Sequence, residues 1–91
     1  MNENGFVYFT KKGKDPNPVY SIGQTQDLMN SLVEADPDEV LNVIRCSNYK
    51  ALRNELFQTF NDCLLPHSQK FLLSSDQIES IHLIIRSKSQ F

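Results

Sequence analysis

Long apolar runs, a basic excess and paired cysteines are all missing from this chain of 91 residues. No segment approaches the roughly 18 consecutive apolar residues of a membrane helix, so we expect no membrane-spanning helix. Lys and Arg number 9 against 11 Asp and Glu, a formal net charge of −2. This balance excludes a strongly basic nucleic-acid binder, although a local basic patch stays open. With three glycines, four prolines and 40% hydrophobic residues, the composition excludes collagen-like and disordered chains and predicts one globular domain.

The two cysteines, Cys46 and Cys63, form no Cys-x-x-Cys pair. The first five residues lack the basic-then-apolar pattern of a signal peptide, so we expect a cytoplasmic protein. In a reducing cytosol both thiols are expected to be free. A zinc site that combines the cysteines with His67 and His82 is the weaker interpretation, because these spacings match no common zinc module.

Hydrophobic periodicity predicts a mixed α+β domain in the order β-β-α-β-α-(β)-α. Strands are predicted over residues 5–10, 19–23, 40–46 and, as a short addition, 71–73. Helices are predicted over residues 26–35, 48–62 and 75–87. A turn-rich loop over residues 11–18 joins the first two strands as a hairpin. The expected fold is a small antiparallel three-stranded sheet flanked by helices.

Several local signals mark the ends of the predicted helices. Thr25 is a candidate N-cap of the first helix, and Asp36 followed by Pro37 ends it, because the residue before proline is disfavoured in a helix. Ser74 and Gln77 match a capping box at the start of the last helix. The first helix carries an apolar stripe of Leu28, Met29, Leu32, Val33 and Ala35. The long helix carries a core-facing stripe of Leu52, Leu56 and Phe60.

The hairpin carries short motifs that resemble those of a known nuclease family. Residues 6–9 read Phe-Val-Tyr-Phe, an eight-residue loop follows, and residues 20–25 read Tyr-Ser-Ile-Gly-Gln-Thr. This pattern resembles the GIY-YIG endonuclease superfamily, most of all its small phage and bacterial branch. The resemblance covers nearly the whole chain and implies a single GIY-YIG-like domain over residues 1–91.

The resemblance implies a site that cuts phosphodiester bonds with one divalent metal ion. GIY-YIG enzymes use tyrosines on the hairpin, an arginine on the first helix and a glutamate later in the chain. A tyrosine can orient the attacking water, and a guanidinium matches a phosphate in bidentate geometry. A hard metal ion such as Mg²⁺ or Mn²⁺ needs at least one carboxylate oxygen.

Most of these catalytic positions are lost here, as the resemblance places them. Tyr8 falls on the first motif tyrosine and is kept, whereas Ser21 stands at the second. Ser31 occupies the arginine position, and residues 24–44 contain no Lys or Arg at all. Gln69 replaces the metal-binding glutamate, and a neutral amide is a poor sole ligand for a divalent ion. We therefore expect no metal cofactor and a binding module without nuclease activity.

The partner of such a module is expected to be a protein, and nucleic acid is a second option. Acidic residues after the first helix repel a phosphate backbone, which favours the protein partner. The lysines Lys11, Lys12 and Lys14 could instead grip phosphates from the loop, together with Arg45 and Arg53. The oligomeric state is open between a monomer and a homodimer.

A divergent endonuclease that cuts DNA or RNA with Mg²⁺ or Mn²⁺ is the alternative. In this hypothesis Tyr8 positions water, and Arg45 or Arg53 replaces the missing helix arginine. The candidate metal ligands are the carboxylates of Glu55, Asp62 and Asp76.

Overall fold

The computed structural model describes residues 5–14 and 17–88. Residues 1–4, considered above for a signal peptide, residues 15 and 16 of the predicted loop, and residues 89–91 lie outside the described part. The strands are β1 (Gly5–Lys12), β2 (Val19–Thr25), β3 (Glu39–Cys46) and β4 (Lys70–Phe71). The helices are α1 (Leu28–Ala35), α2 (Tyr49–Thr59) and α3 (Ser75–Lys88), and a 3-10 helix spans Asn61–Cys63. None of the helices in these ranges is long and apolar enough to cross a membrane.

The strands form one antiparallel sheet in the order β3-β1-β2-β4. The α+β class and the element order are confirmed, but the prediction of three strands is wrong. The short segment expected over residues 71–73 is β4, and it joins the sheet through the pairs Tyr20–Phe71 and Ser21–Lys70. A strand of two residues is too short to produce a periodic signal. Phe71 is fully buried, so side-chain packing holds β4 against β2.

The helices α2 and α3 cover one face of the sheet. Side chains alternate along a strand, so Val7 and Phe9 of β1 share this face, and both are fully buried. A Cβ atom added to Gly5 on the same face would lie 2.9 Å from the ring of Tyr49 in α2. The core therefore lies between the sheet and these two helices.

Both helices bury the apolar residues that face the sheet. The predicted stripe of α2 is confirmed, because Leu52, Leu56 and Phe60 are all buried. The helix ends at Thr59 rather than near residue 62, where the chain tightens into the 3-10 helix. The buried residues of α3 are Ile81 and Ile85.

Polar and aromatic contacts also fix α3 against the sheet. The ring of His82 meets Phe9 edge-on, with centroids 5.5 Å apart. Its Nδ1 lies 3.0 Å from Nδ2 of Asn42 in β3, within hydrogen-bond distance. The predicted capping box is confirmed at the start of α3. The Ser74 N–H donates to Gln77 Oε1 at 2.8 Å, and the Gln77 N–H donates to Ser74 Oγ at 3.2 Å.

The first helix, α1, buries none of its residues. It is linked to the opposite face of the sheet through Ser31, which bonds to Thr25, because Thr25 pairs with Phe6 and so lies on the face away from Val7 and Phe9. The predicted N-cap is wrong: Asp27 caps α1 by accepting the Asn30 N–H at 3.2 Å. Thr25 is still part of β2, where it pairs with Phe6, so the helix begins later. The predicted end is confirmed, because Asp36 adopts the left-handed conformation with φ 47° after the last helical residue.

Candidate functional site

Tyr8 lies on the α1 face of the sheet, at the centre of the sheet. It pairs with Gly23 of β2 and Val43 of β3, and its ring occupies the space where a side chain at residue 23 would stand. The glycine therefore provides room for a cross-strand aromatic ring. Tyr8 is half-buried, as a strand tyrosine packed on its neighbours is expected to be.

Two positions at which the resemblance places catalytic residues also belong to this face. Ser21 pairs with Thr10 of β1, next to the Tyr8–Gly23 row. Ser31 on α1 donates its hydroxyl hydrogen to Thr25 Oγ1 at 2.6 Å, which fastens the helix to β2. The arginine position of the resemblance is thus taken by a short hydroxyl that serves as a structural contact.

Gln69 and Arg53 meet each other on the other side of the sheet. Arg53 Nη2 donates to Gln69 Oε1 at 3.2 Å, and Arg53 Cζ lies 4.1 Å from the centroid of the Phe57 ring. The Phe57 ring in turn meets Phe71 edge-on at 5.0 Å. Because α2 packs on the face opposite to Tyr8, the sheet separates this pair from Tyr8. The structure therefore does not bring these three predicted site residues together.

The predicted basic loop is shorter than the sequence suggested. Lys11 and Lys12 belong to β1, and only Lys14 of the three lysines lies in the connection. The Gly13 N–H donates to the Asp38 carboxylate at 2.7 Å, so acidic and basic segments meet at this end of the sheet. Lys11 pairs directly with Glu39 across β1 and β3. Arg45 is exposed at the far end of β3, where it pairs with Phe6.

The carboxylates considered as metal ligands belong to three different elements. Glu55 faces Lys88, with Oε1 and Nζ 4.0 Å apart, whereas Asp62 is in the 3-10 helix and Asp76 is in the first turn of α3. Within residues 5–14 and 17–88, no three His, Cys, Asp or Glu side chains are grouped closely enough to hold a metal ion. Both cysteines are free thiols.

The sequence does not predict an exposed apolar pair that the structure shows on α1. Met29 and Val33 stand one helical turn apart, and they are 74% and 73% exposed. Leu28 and Leu32 of the same apolar stripe are half-buried. The width of the stripe could have indicated this exposure. Apolar residues at 28, 29, 32 and 33 cover a wider part of the helix surface than packing against a single neighbouring element can bury. We call Met29 and Val33 the α1 ridge.

Negative charge borders the α1 ridge. Glu34 follows Val33 directly, and Asp36 stands one turn after it at the C-terminal end of the helix. Both side chains are exposed, and in the described part of the chain neither forms an ion pair. The last turn of α1 contains no basic residue. The ridge therefore combines two large apolar side chains with an unbalanced negative edge.

No protein-family model, curated protein or solved structure matches the chain.

Proposed function

We propose that this chain is a non-catalytic binding module with a GIY-YIG-like fold, which contacts a protein partner through the α1 ridge. The observation that carries the proposal is the exposure of Met29 and Val33 on a helix that buries none of its own residues. Full burial of each side chain by a partner would contribute about 1.5–3 kcal/mol. Two such side chains, one helical turn apart, would form the buried centre of a specific interface.

The charge distribution supports a protein partner over nucleic acid. Glu34 and Asp36 border the ridge and repel a phosphate backbone. Arg45 and Arg53, which a nucleic-acid surface would combine, belong to opposite faces of the sheet. The lysines near the hairpin connection lie beside Asp38 and Glu39, which weakens their attraction for phosphates.

The proposal is tested by comparing partners captured by the full chain and by a ridge variant. The double substitution Met29→Ser with Val33→Ser removes both anchors at exposed positions, so the fold should be kept, as circular dichroism can verify. The matched control is Leu83→Ser, which alters a side chain that is 57% exposed on α3. We expect the ridge variant to lose a protein that wild type and control both retain. Equal capture by all three proteins contradicts the proposal.

A cleavage assay tests the endonuclease alternative directly. Wild type and Tyr8→Phe are incubated with supercoiled plasmid and structured RNA in Mg²⁺ or Mn²⁺. The proposal predicts intact substrates with both proteins, because Ser31 and Gln69 stand where the resemblance places the phosphate-binding arginine and the metal-binding glutamate. Metal-dependent cutting by wild type that disappears in the variant would overturn the proposal in favour of a divergent nuclease.

A further inference from the structure

The C-terminal end of α1 is electrostatically unbalanced. The last carbonyl groups of a helix carry a partial negative charge, which cations stabilise and anions destabilise. Here Glu34 and Asp36 add two carboxylates to that end, and the last turn has no Lys or Arg. Like charges are thus held close together beside an exposed apolar pair. A cation supplied from outside would relieve the repulsion and interact with both carboxylates and the helix end.

We infer that the α1 ridge binds a basic amphipathic helix of a protein partner. This inference rests on the proposed function and adds the chemistry of the partner. Met29 and Val33 form a ridge along the i, i+4 direction, and such ridges pack into the grooves of a second helix. Lys or Arg residues beside the apolar stripe of that second helix would meet Glu34 and Asp36.

An extended peptide is a poorer fit to the molecule. It would add to an edge of the sheet, and β3 is the longer edge strand, because β4 at the other edge has only two residues and Phe71 of β4 also pairs with Leu64. The β3 edge carries the exposed charges Glu39 and Arg45. It is also interrupted where the pairing shifts, since Phe9 pairs with Asn42 but Thr10 pairs with Val40. Charges and bulges of this kind oppose strand addition. The helical ridge is the better docking surface.

The test uses two synthetic amphipathic helices with the same leucine stripe, one with lysines and one with glutamates on the polar face. Each is titrated into the isotope-labelled full chain, and amide shifts are followed by NMR. We expect the lysine peptide to shift the resonances of α1 and to bind about tenfold more tightly than the glutamate peptide. The difference should shrink at high salt, because exposed charges are screened.

A charge exchange tests the two carboxylates specifically. The double substitution Glu34→Lys with Asp36→Lys is expected to reverse the preference, so that the glutamate peptide binds more tightly. The control Asp62→Lys with Glu79→Lys changes the net charge equally at two exposed positions outside α1 and should keep the original preference. Reversal in both double variants would assign the effect to net charge and overturn the inference.

Failure of the inference and failure of the proposed function give different results. Equal binding of the two peptides at α1 overturns the basic-partner inference and leaves the ridge as a docking surface. The same holds if neither peptide shifts α1 while capture of a cellular protein still requires Met29 and Val33. Capture that is independent of the ridge overturns the proposed function itself. A third result would overturn both the inference and the proposed function. In that result structured RNA shifts the amide resonances of residues 11–14, and neither peptide shifts those of α1.

Discussion

The close contact between Tyr8 and Gly23 can be tested by adding a single methyl group at residue 23. A Cβ atom at residue 23 would overlap the Tyr8 ring. Gly23→Ala is therefore expected to displace the ring and to lower the free energy of unfolding by about 1–3 kcal/mol, the usual cost of overpacking. Urea denaturation monitored by circular dichroism measures the change.

The Tyr8→Ala background provides the control for this prediction. With the ring removed, alanine at residue 23 has free space, and a strand residue with a side chain is favoured over glycine. The second substitution should then be neutral or stabilising. An equal loss of stability in both backgrounds would show that the ring contact is not the cause.

At the residue scale, the sequence predicts burial better than it predicts side-chain partners. The burial of Leu52, Leu56 and Phe60 follows from helical spacing, and the structure confirms it. The contact of Arg53 with Gln69 could not be predicted, because it joins a helix to a loop 16 residues further along the chain. The exposure of Met29 was missed for a related reason. Spacing indicates which residues share a stripe, but the neighbouring elements decide which part of the stripe is covered.

At the scale of single elements, the contribution of the α3 capping box to stability can be tested by itself. Ser74→Ala removes the oxygen that accepts the Gln77 N–H and is expected to cost about 1 kcal/mol of stability. Ser75→Ala is the control, because it changes an exposed serine inside the first turn of the same helix. Thermal unfolding of both variants distinguishes the cap from a general effect of losing a hydroxyl. Equal losses would contradict the role assigned to Ser74.

The edge strand β3 gives a second prediction at this scale. Glu39 and Arg45 are exposed on β3, and charged side chains at an edge discourage pairing between copies. Replacing both by valine is expected to cause self-association, visible by light scattering at rising protein concentration.

The control for the edge variant replaces Glu79 and Arg86 of α3 by valine, which removes the same two charges from exposed helical positions. This second variant should scatter like wild type. If both variants associate equally, general surface hydrophobicity explains the effect and the edge has no special role.

The order of the elements was predictable, whereas several of their limits depend on contacts distant in sequence. Lys11 and Lys12 look like loop residues beside Gly13, yet they extend β1 because Tyr20 and Val19 pair with them. The end of β2 shows the same effect, since Thr25 is held in the strand by Phe6. Pairing across strands overrides the local preference for a turn at both places.

At the scale of the whole molecule, α3 completes the core. Ile81 and Ile85 are fully buried, and full burial of each contributes about 1.5–3 kcal/mol. Their sum is comparable with the 5–15 kcal/mol that separates most folded domains from the unfolded state. A chain that ends at Leu73 is therefore expected not to fold, which the loss of amide dispersion in an NMR spectrum would show.

The control is the double variant Ile81→Val with Ile85→Val. It shows whether folding requires the whole helix or is lost after any small change in the buried residues of α3. Each substitution should cost about 0.5–1.5 kcal/mol and leave the fold intact. A folded chain without α3 would contradict the assignment of this helix to the single core. The same result would mean that α2 alone can cover the sheet.

The position of α3 in the chain also matters during protein synthesis. The Phe9 ring on β1 contacts the ring of His82 on α3, which is synthesised much later. The helix begins at Ser75, more than sixty residues after β1 ends at Lys12. At 5–20 residues per second, this delay is roughly 3–12 s. For that time part of the apolar face of β1 has no cover on a nascent chain and is open to chaperones.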